Sequence, residues 1–201
     1  MTRSTRIWVV ALLACGCIIA AVSFWPDPAI THPPGILVPD EPRQVPVTNM
    51  QPWQRDEYTI TPLAEFSARV RVLHVKTYHH GRESDLSPID LALGWKEMSD
   101  QRVLDKIEIS QSGRWYEWHA SRLPVPRRVI ACSSANMHMI PADQETDRTL
   151  SSLRIGDIIA INGYLVDVRG KDGWHWRSSL SRTDEGNGAC ELVWLQHITV
   201  E

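Results

Sequence analysis

Sequence motifs typical of several enzyme classes are missing from this chain of 201 residues. It has no G-x-S-x-G, no G-x-x-x-x-G-K-[ST], no G-x-G-x-x-G and no H-E-x-x-H. Serine, histidine and aspartate side chains that could form a nucleophile, base and orienter are present, as Ser178, Ser179, His138 and Asp184. Any chain of this size offers such a set, so the sequence identifies no catalytic residue. A small uncharacterised hydrolase is an alternative, and a non-enzymatic role is favoured.

A surplus of basic residues is also missing. The chain has 21 Lys and Arg against 24 Asp and Glu, which gives a formal net charge of -3. Because a nucleic-acid interface requires a basic face, this balance argues against a nucleic-acid partner. Internal repeats are absent as well. The sequence implies no cofactor.

Cysteine is scarce: only Cys132 and Cys190 lie beyond the N-terminal apolar run. A disulfide between them is permitted if this part of the chain lies outside the cytoplasm. Cysteine is also a common core residue, so two buried free thiols are the other interpretation. The sequence does not give their separation.

Charge is missing from residues 7–25, and this absence is the clearest targeting signal in the chain. A helix of that length spans the ~30 Å hydrocarbon core of a bilayer. Trp8 and Trp25 lie near its two ends, where an interfacial aromatic belt would place them. The short segment 1–6 carries Arg3 and Arg6 and no acid, which predicts a cytoplasmic N-terminus and an extracytoplasmic remainder.

This pattern predicts a single-pass signal anchor in a bacterial-type inner (plasma) membrane, with the C-terminal domain in the periplasm. A cleaved signal peptide is the first alternative, because Ala21-Val22-Ser23 is an acceptable small-x-small cleavage site. A lipoprotein is the second, because Leu12-Leu13-Ala14 precedes Cys15.

Residues 26–62 hold nine of the thirteen prolines and show no hydrophobic period. Proline fixes φ and removes backbone donors, so this composition predicts an extended, polyproline-II-like linker. We expect it to tether a folded domain, residues 63–201, away from the membrane.

The segment 63–201 is predicted to be mainly β, with one or two short helices. Alternating apolar residues indicate strands, and a Ser-Pro pair at Ser87-Pro88 indicates a helix start. The predicted strands are residues 66–76, 106–110, 114–121, 129–140 and three within 155–194, and the predicted helical segments are 87–95 and 147–153. Because strands and helices do not alternate, we expect a small OB-like, closed β-barrel rather than a parallel sheet.

Polar residues near the ends of the predicted strands are the candidate binding site. Binding side chains concentrate at such positions on a rigid β scaffold. The set is Glu83, Asp85, Asn136, His138, Arg177, Arg182 and Asp184. Structural charge pairing among the same residues is the competing interpretation.

Met137-His138-Met139 offers a second kind of site, because soft thioether ligands select Cu(I). The triplet resembles the Met-x-Met motif of small periplasmic copper chaperones of the Cus type, which are OB-like and also use a His and a Trp. The resemblance implies Cu(I) binding, although no Trp closely precedes Met137. On a strand the two methionines would share one face, as in an ordinary β core, with His138 opposite.

The sequence as a whole therefore predicts a membrane-tethered extracytoplasmic domain that binds an envelope protein or another envelope component. A hydrolase and a Cu(I)-binding periplasmic protein are the alternatives.

Overall fold

A computed structural model describes residues 28–181 and 189–201. The predicted cytoplasmic segment 1–6 and the predicted anchor 7–25 lie outside these residues. Within the described ranges, no helix combines the length and the apolar character that crossing a membrane requires.

The described chain is mainly β, with 46% strand and 16% helix, which confirms the predicted class. The strands are β1 (Arg43–Pro46), β2 (Trp53–Arg55), β3 (Tyr58–Thr77), β4 (Ile89–Gly94), β5 (Glu108–Ser112), β6 (Trp115–His119), β7 (Ser134–Pro141), β8 (Ile158–Gly170), β9 (His175–Arg177) and β10 (Glu191–Val200). The helices are α1 (Arg82–Leu86), α2 (Gln101–Leu104), α3 (Arg127–Cys132) and α4 (Gln144–Ser151), with a 3₁₀ helix at Lys96–Ser99.

Five strands of the large sheet pair in a ring, in the order β3, β4, β7, β10 and β8, because β8 also pairs with β3. The β7–β10 pairing is parallel and the other pairings of the ring are antiparallel. β1 and β2 extend the sheet beside β3, and β9 extends it beside β8. The ring does not form a clear barrel. β5 and β6 form a separate two-stranded sheet.

The long strands bend at register shifts. β3 shifts between Val72 and His74, where the alternation of apolar residues predicts a bulge. Near the middle of β8, Gly163 pairs with Leu195 where β10 shifts register. A Cβ on Gly163 would lie 1.9 Å from the backbone oxygen of Trp194, so this close strand approach requires glycine.

The two faces of the sheet build different cores. In β4, Leu91 and Leu93 join the main cluster with Met137 and Met139, whereas Ala92 joins a second cluster beneath the β5–β6 hairpin. A third cluster lies under β9 and includes four of the nine tryptophans: Trp53, Trp174, Trp176 and Trp194. All six residues of β4 are buried, because both of its faces are covered.

The prediction of a detached linker is wrong for residues 28–62. Two strands form there, and the Ile30 N–H donates to the Ile155 carbonyl oxygen at 2.7 Å. Val38 is 1% exposed, and its N–H donates to the Ser99 hydroxyl at 3.0 Å. Prolines are compatible with this packing because they occupy strand ends and edges, as Pro46 does.

Asp100 helps to hold this N-terminal segment. Its carboxylate accepts from the Gly35 N–H at 3.0 Å and from Arg102 at 2.7 Å. The Arg102 guanidinium and the Gly35 N–H hold the pKa of Asp100 well below its usual range, against the opposing effect of burial. The folded unit therefore includes residues that their composition assigns to a linker.

Two predicted elements have the wrong type. Residues 87–95 are predicted as a helix from the Ser87-Pro88 signal, but they contain strand β4, whose unbroken apolar run gives no period to tell helix from strand. Residues 129–140 are predicted as one strand, but α3 occupies 127–132, directly after Pro126, and β7 begins at Ser134.

Other predicted elements are present. The β5–β6 hairpin closes through Gly113 and Arg114, whose φ values of 55° and 71° suit a two-residue primed turn. Helix α4 lies close to the predicted segment 147–153, and β8 closely matches the predicted first strand of the 155–194 stretch.

Candidate functional site

A cleft of about 910 Å³ opens between the β5–β6 hairpin, helix α3, the start of β7 and residues 189–191. Its volume lies within the range of sites for small organic ligands. The side chains that give it chemical character are Trp95, Trp115, Tyr116, Glu117, Trp118, Arg127, Arg128, Cys132, Asn136, Cys190 and Glu191.

Aromatic side chains form much of the lining. Trp95 is buried, whereas Trp115 is 41% exposed, so its ring is accessible to a ligand. Trp118 is half-buried, and the Arg127 guanidinium lies 5.2 Å from the centre of its ring. That distance is a cation–π contact, which positions the Arg127 side chain beside the cleft.

The cleft also carries charge of both signs. Arg127 and Arg128 are exposed at adjacent positions of α3, and neither forms an ion pair with any residue that the structure describes. Glu117 is exposed on β6. Exposed Arg and Glu side chains supply donors and acceptors to a polar ligand.

A buried polar network lies next to the cleft, and its centre is Arg114 at the tip of the hairpin. The guanidinium donates to Asp90 Oδ1 at 2.7 Å and to the Ser87 carbonyl oxygen at 2.9 Å. It also lies 4.0 Å from the ring centre of Tyr78, and the Tyr78 hydroxyl accepts from the Arg114 N–H at 3.0 Å. The Asp90 side chain is completely buried, so Arg114 supplies the charge that compensates it.

His138 lies against the same carboxylate. Its Nδ1 is 2.9 Å from Asp90 Oδ1, but the approach lacks the direction of a hydrogen bond. Asp90 Oδ2 and His138 Nδ1 therefore have no hydrogen-bond partner among the described residues. The His138 ring packs at 4.9 Å, centre to centre, against the half-buried ring of Trp176.

Asn136 connects this network to the cleft. Its amide donates to the Arg114 carbonyl oxygen at 3.0 Å and accepts from Gln111. Gln111 in turn contacts His74 Nδ1 at 2.8 Å. Asn136 also lines the cleft. The same residue therefore contributes both to the packing of the hairpin and to the shape of the cleft.

The structure brings together only part of the predicted binding set. Asn136 and His138 belong to the buried network, and Asn136 lines the cleft. Glu83 and Asp85 lie on α1. Ser84, which lies between them, has its hydroxyl oxygen 3.4 Å from the Arg114 guanidinium.

The remaining predicted site residues lie elsewhere. Arg177 is on β9, where its guanidinium is 3.6 Å from Asp167. Arg182 and Asp184 fall in residues 182–188, outside the described part of the chain. A binding role for these three residues stays a prediction.

Several residues of the site are missing from the sequence prediction. Asp90 gives a signal in retrospect, because a carboxylate inside the apolar run of β4 requires a partner. Arg114 and Trp115 give none, because an Arg beside a turn glycine and a Trp on a hairpin are ordinary surface features. Their role follows from where the hairpin packs.

Cys132 and Cys190 are both half-buried and line the cleft. The Cys190 thiol lies 3.9 Å from the Arg114 carbonyl oxygen, to which it donates weakly. The described chain therefore has no disulfide between them.

The predicted copper triplet is divided between two environments. Met137 and Met139 are 0% exposed in the main core, and His138 faces the polar network on the opposite side of β7. The three side chains do not converge on a common ion position. In the described ranges, no group of three or more His, Cys, Asp or Glu side chains could hold a metal.

Ser178, a candidate nucleophile, is engaged in backbone contacts. Its hydroxyl donates to the Ser179 carbonyl oxygen at 2.7 Å and accepts from the Leu192 N–H at 3.0 Å. The residue is 4% exposed, and its bond with Leu192 connects β10 to the segment after β9. The geometry gives this hydroxyl a structural role.

Comparison with known proteins assigns no family. A scan against protein-family models gives no match, and searches of curated proteins and of solved structures give none either.

Replacing Asp90 by Ala should destabilise the fold by about 3 kcal/mol, because it leaves the Arg114 cation largely buried without its partner. Urea unfolding followed by circular dichroism measures the change. The control is Glu201→Gln, which removes the Arg69 pair with both side chains 43% exposed and should cost less than about 1 kcal/mol. Equal destabilisation by the two substitutions would contradict the structural role of the Asp90–Arg114 pair.

Proposed function

We propose that this chain is a membrane-tethered extracytoplasmic binding domain, which holds its ligand in the cleft beside the β5–β6 hairpin. The observation that carries the proposal is the cleft itself: an accessible tryptophan, two arginines without ion-pair partners among the described residues and an adjoining buried polar network. Such a combination of apolar walls and few placed polar groups is typical of ligand sites. The ligand is a component of the bacterial envelope, either a protein or another molecule.

An OB-like barrel is the architecture we infer for the scaffold. The pairing order β3, β4, β7, β10, β8 and back to β3 supports it, because an OB-fold is a five-stranded, partly open barrel. Helix α4 also lies between β7 and β8 in the chain and contacts β10 and β7. Barrels of this kind bind ligands on a strand face and its adjoining loops.

The proposed location is the periplasmic side of a bacterial-type inner membrane, with residues 7–25 as a single-pass anchor. The support is the uncharged run and its Arg3 and Arg6 flank. Since Ile30 already contacts the domain, few residues separate the proposed anchor from the fold. The domain would therefore lie near the membrane surface, within reach of envelope components.

A topology reporter tests the location. Fused after Glu201, alkaline phosphatase should be active and a cytoplasm-dependent fluorescent protein should be dark, because positive flanking residues stay in the cytoplasm. Replacing Arg3 and Arg6 by Glu should weaken this orientation. Activity of the cytoplasmic reporter in the unaltered chain would contradict the proposal.

Cross-linking in living cells tests the binding function. A photoreactive amino acid at Glu117, on the exposed rim of the cleft, should give a defined adduct with an envelope component. The same amino acid at Ile155, which is 39% exposed away from the cleft, is the control. Trp115→Ala should reduce the Glu117 adduct, as measured by mass spectrometry of the purified chain. Adducts that are identical from the two positions, or absent from Glu117, would contradict a binding role for the cleft.

A further inference from the structure

We propose that the cleft binds an acidic saccharide, meaning a short chain of sugars that carries carboxylate groups. This inference rests on the proposed binding function and assigns it a chemical class of ligand. Three features of the lining, two on β6 and one on α3, require different properties of the ligand, and an acidic sugar combines all three.

The first feature is the aromatic wall. Trp115 presents 41% of its surface, and half-buried Tyr116 and Trp118, on the opposite face of β6, also line the cleft. Indole rings offer a flat, electron-rich face with a polar N–H at the edge. A pyranose ring matches such a face, because its axial C–H groups form a flat apolar surface while its hydroxyls project sideways.

The second feature is the pair of arginines on α3. Arg127 and Arg128 are exposed and form no ion pair with the described residues, so they favour an anionic group. A guanidinium binds a carboxylate through two parallel hydrogen bonds. Arg127 already lies over the Trp118 ring, so a carboxylate bound there would be held next to the aromatic wall.

The third feature distinguishes a sugar from other anions. Glu117 lies on the same strand as Trp115 and offers acceptor oxygens only. An aromatic carboxylate such as benzoate has no hydroxyl to donate to Glu117, whereas a sugar has several. Sugar hydroxyls donate to carboxylates, and the Ser134 hydroxyl and Asn136 amide add further polar groups to the lining.

The size of the cleft agrees with this class. A volume of about 910 Å³ accommodates a drug-sized ligand, which corresponds to on the order of two or three sugar rings. The carboxylate of one ring would reach the arginines while another ring stacks on Trp115.

Calorimetric titration of the full-length protein in detergent micelles tests the proposal. The probe is a trimer of galacturonic acid, and the matched ligand is the neutral galactose trimer of the same linkage. The acidic trimer should bind and the neutral trimer should bind about tenfold or more weakly, because a charge-assisted bidentate contact is lost. Benzoate, an anion without hydroxyls, should show no measurable binding.

Variants assign the binding to the cleft. Trp115→Ala should lower the affinity for the acidic trimer about tenfold. The double substitution Arg127→Gln with Arg128→Gln should remove the preference for the acidic over the neutral trimer. Arg154→Gln, an exposed arginine away from the cleft, should leave both affinities unchanged. Circular dichroism confirms that each variant is folded.

The outcomes separate this inference from the proposed function. Equal binding of both trimers, no binding of either, or binding that Trp115→Ala leaves unchanged would overturn the acidic-saccharide proposal. If neither trimer binds but a cleft-specific cross-link forms in cells, only the proposed ligand class is overturned. Failure of both experiments would overturn the binding function as well.

Discussion

The buried ion pair between Asp90 and Arg114 joins the two sheets of this protein. Asp90 belongs to the large sheet and Arg114 to the turn of the separate β5–β6 hairpin. An isolated two-stranded hairpin is marginally stable in water, so β5 and β6 depend on contacts with the large sheet. Apolar packing of Ile109 and Trp118 on the second core cluster supplies part of that support, and the ion pair fixes the tip.

The same contact gives the cleft its wall. Trp115 and Glu117 follow Arg114 directly along β6, so the position of the turn determines where their side chains lie. The Asn136 amide donates to the Arg114 carbonyl oxygen and also lines the cleft, so Asn136 connects β7 to the hairpin at this point. A buried ion pair is weak evidence for stability, because desolvation offsets much of its attraction. Its value here lies in fixing one arrangement of hairpin and sheet, on which the shape of the cleft depends.

The sequence was sufficient for the mainly β class, the strands β3, β8 and β10, and the β5–β6 hairpin, because alternation and turn glycines are local signals. The sequence prediction failed for β4, because both faces of this strand are buried and its residues show no hydrophobic alternation. It also failed for residues 28–62, because their high proline content is typical of a linker. For the site, the strand-end rule selected Asn136, which lines the cleft, and His138, which lies in the buried network beside it, and a binding role for either stays a prediction. It missed Asp90, Arg114 and Trp115, because their roles depend on contacts between segments distant in sequence, such as the 24-residue separation of Asp90 and Arg114.

Hydrogen exchange of the β5 and β6 amides in Asp90→Asn, compared with the wild type, tests this account most directly. Asparagine keeps the size of the side chain and removes the charge, so the fold should persist while the hairpin loses its anchor. We predict exchange at least about tenfold faster in β5 and β6, with β3 and β8 protected as in the wild type, because local opening is independent of global unfolding. Unchanged protection of the hairpin, or equal loss of protection throughout the sheet, would contradict the role of this ion pair in holding the cleft wall.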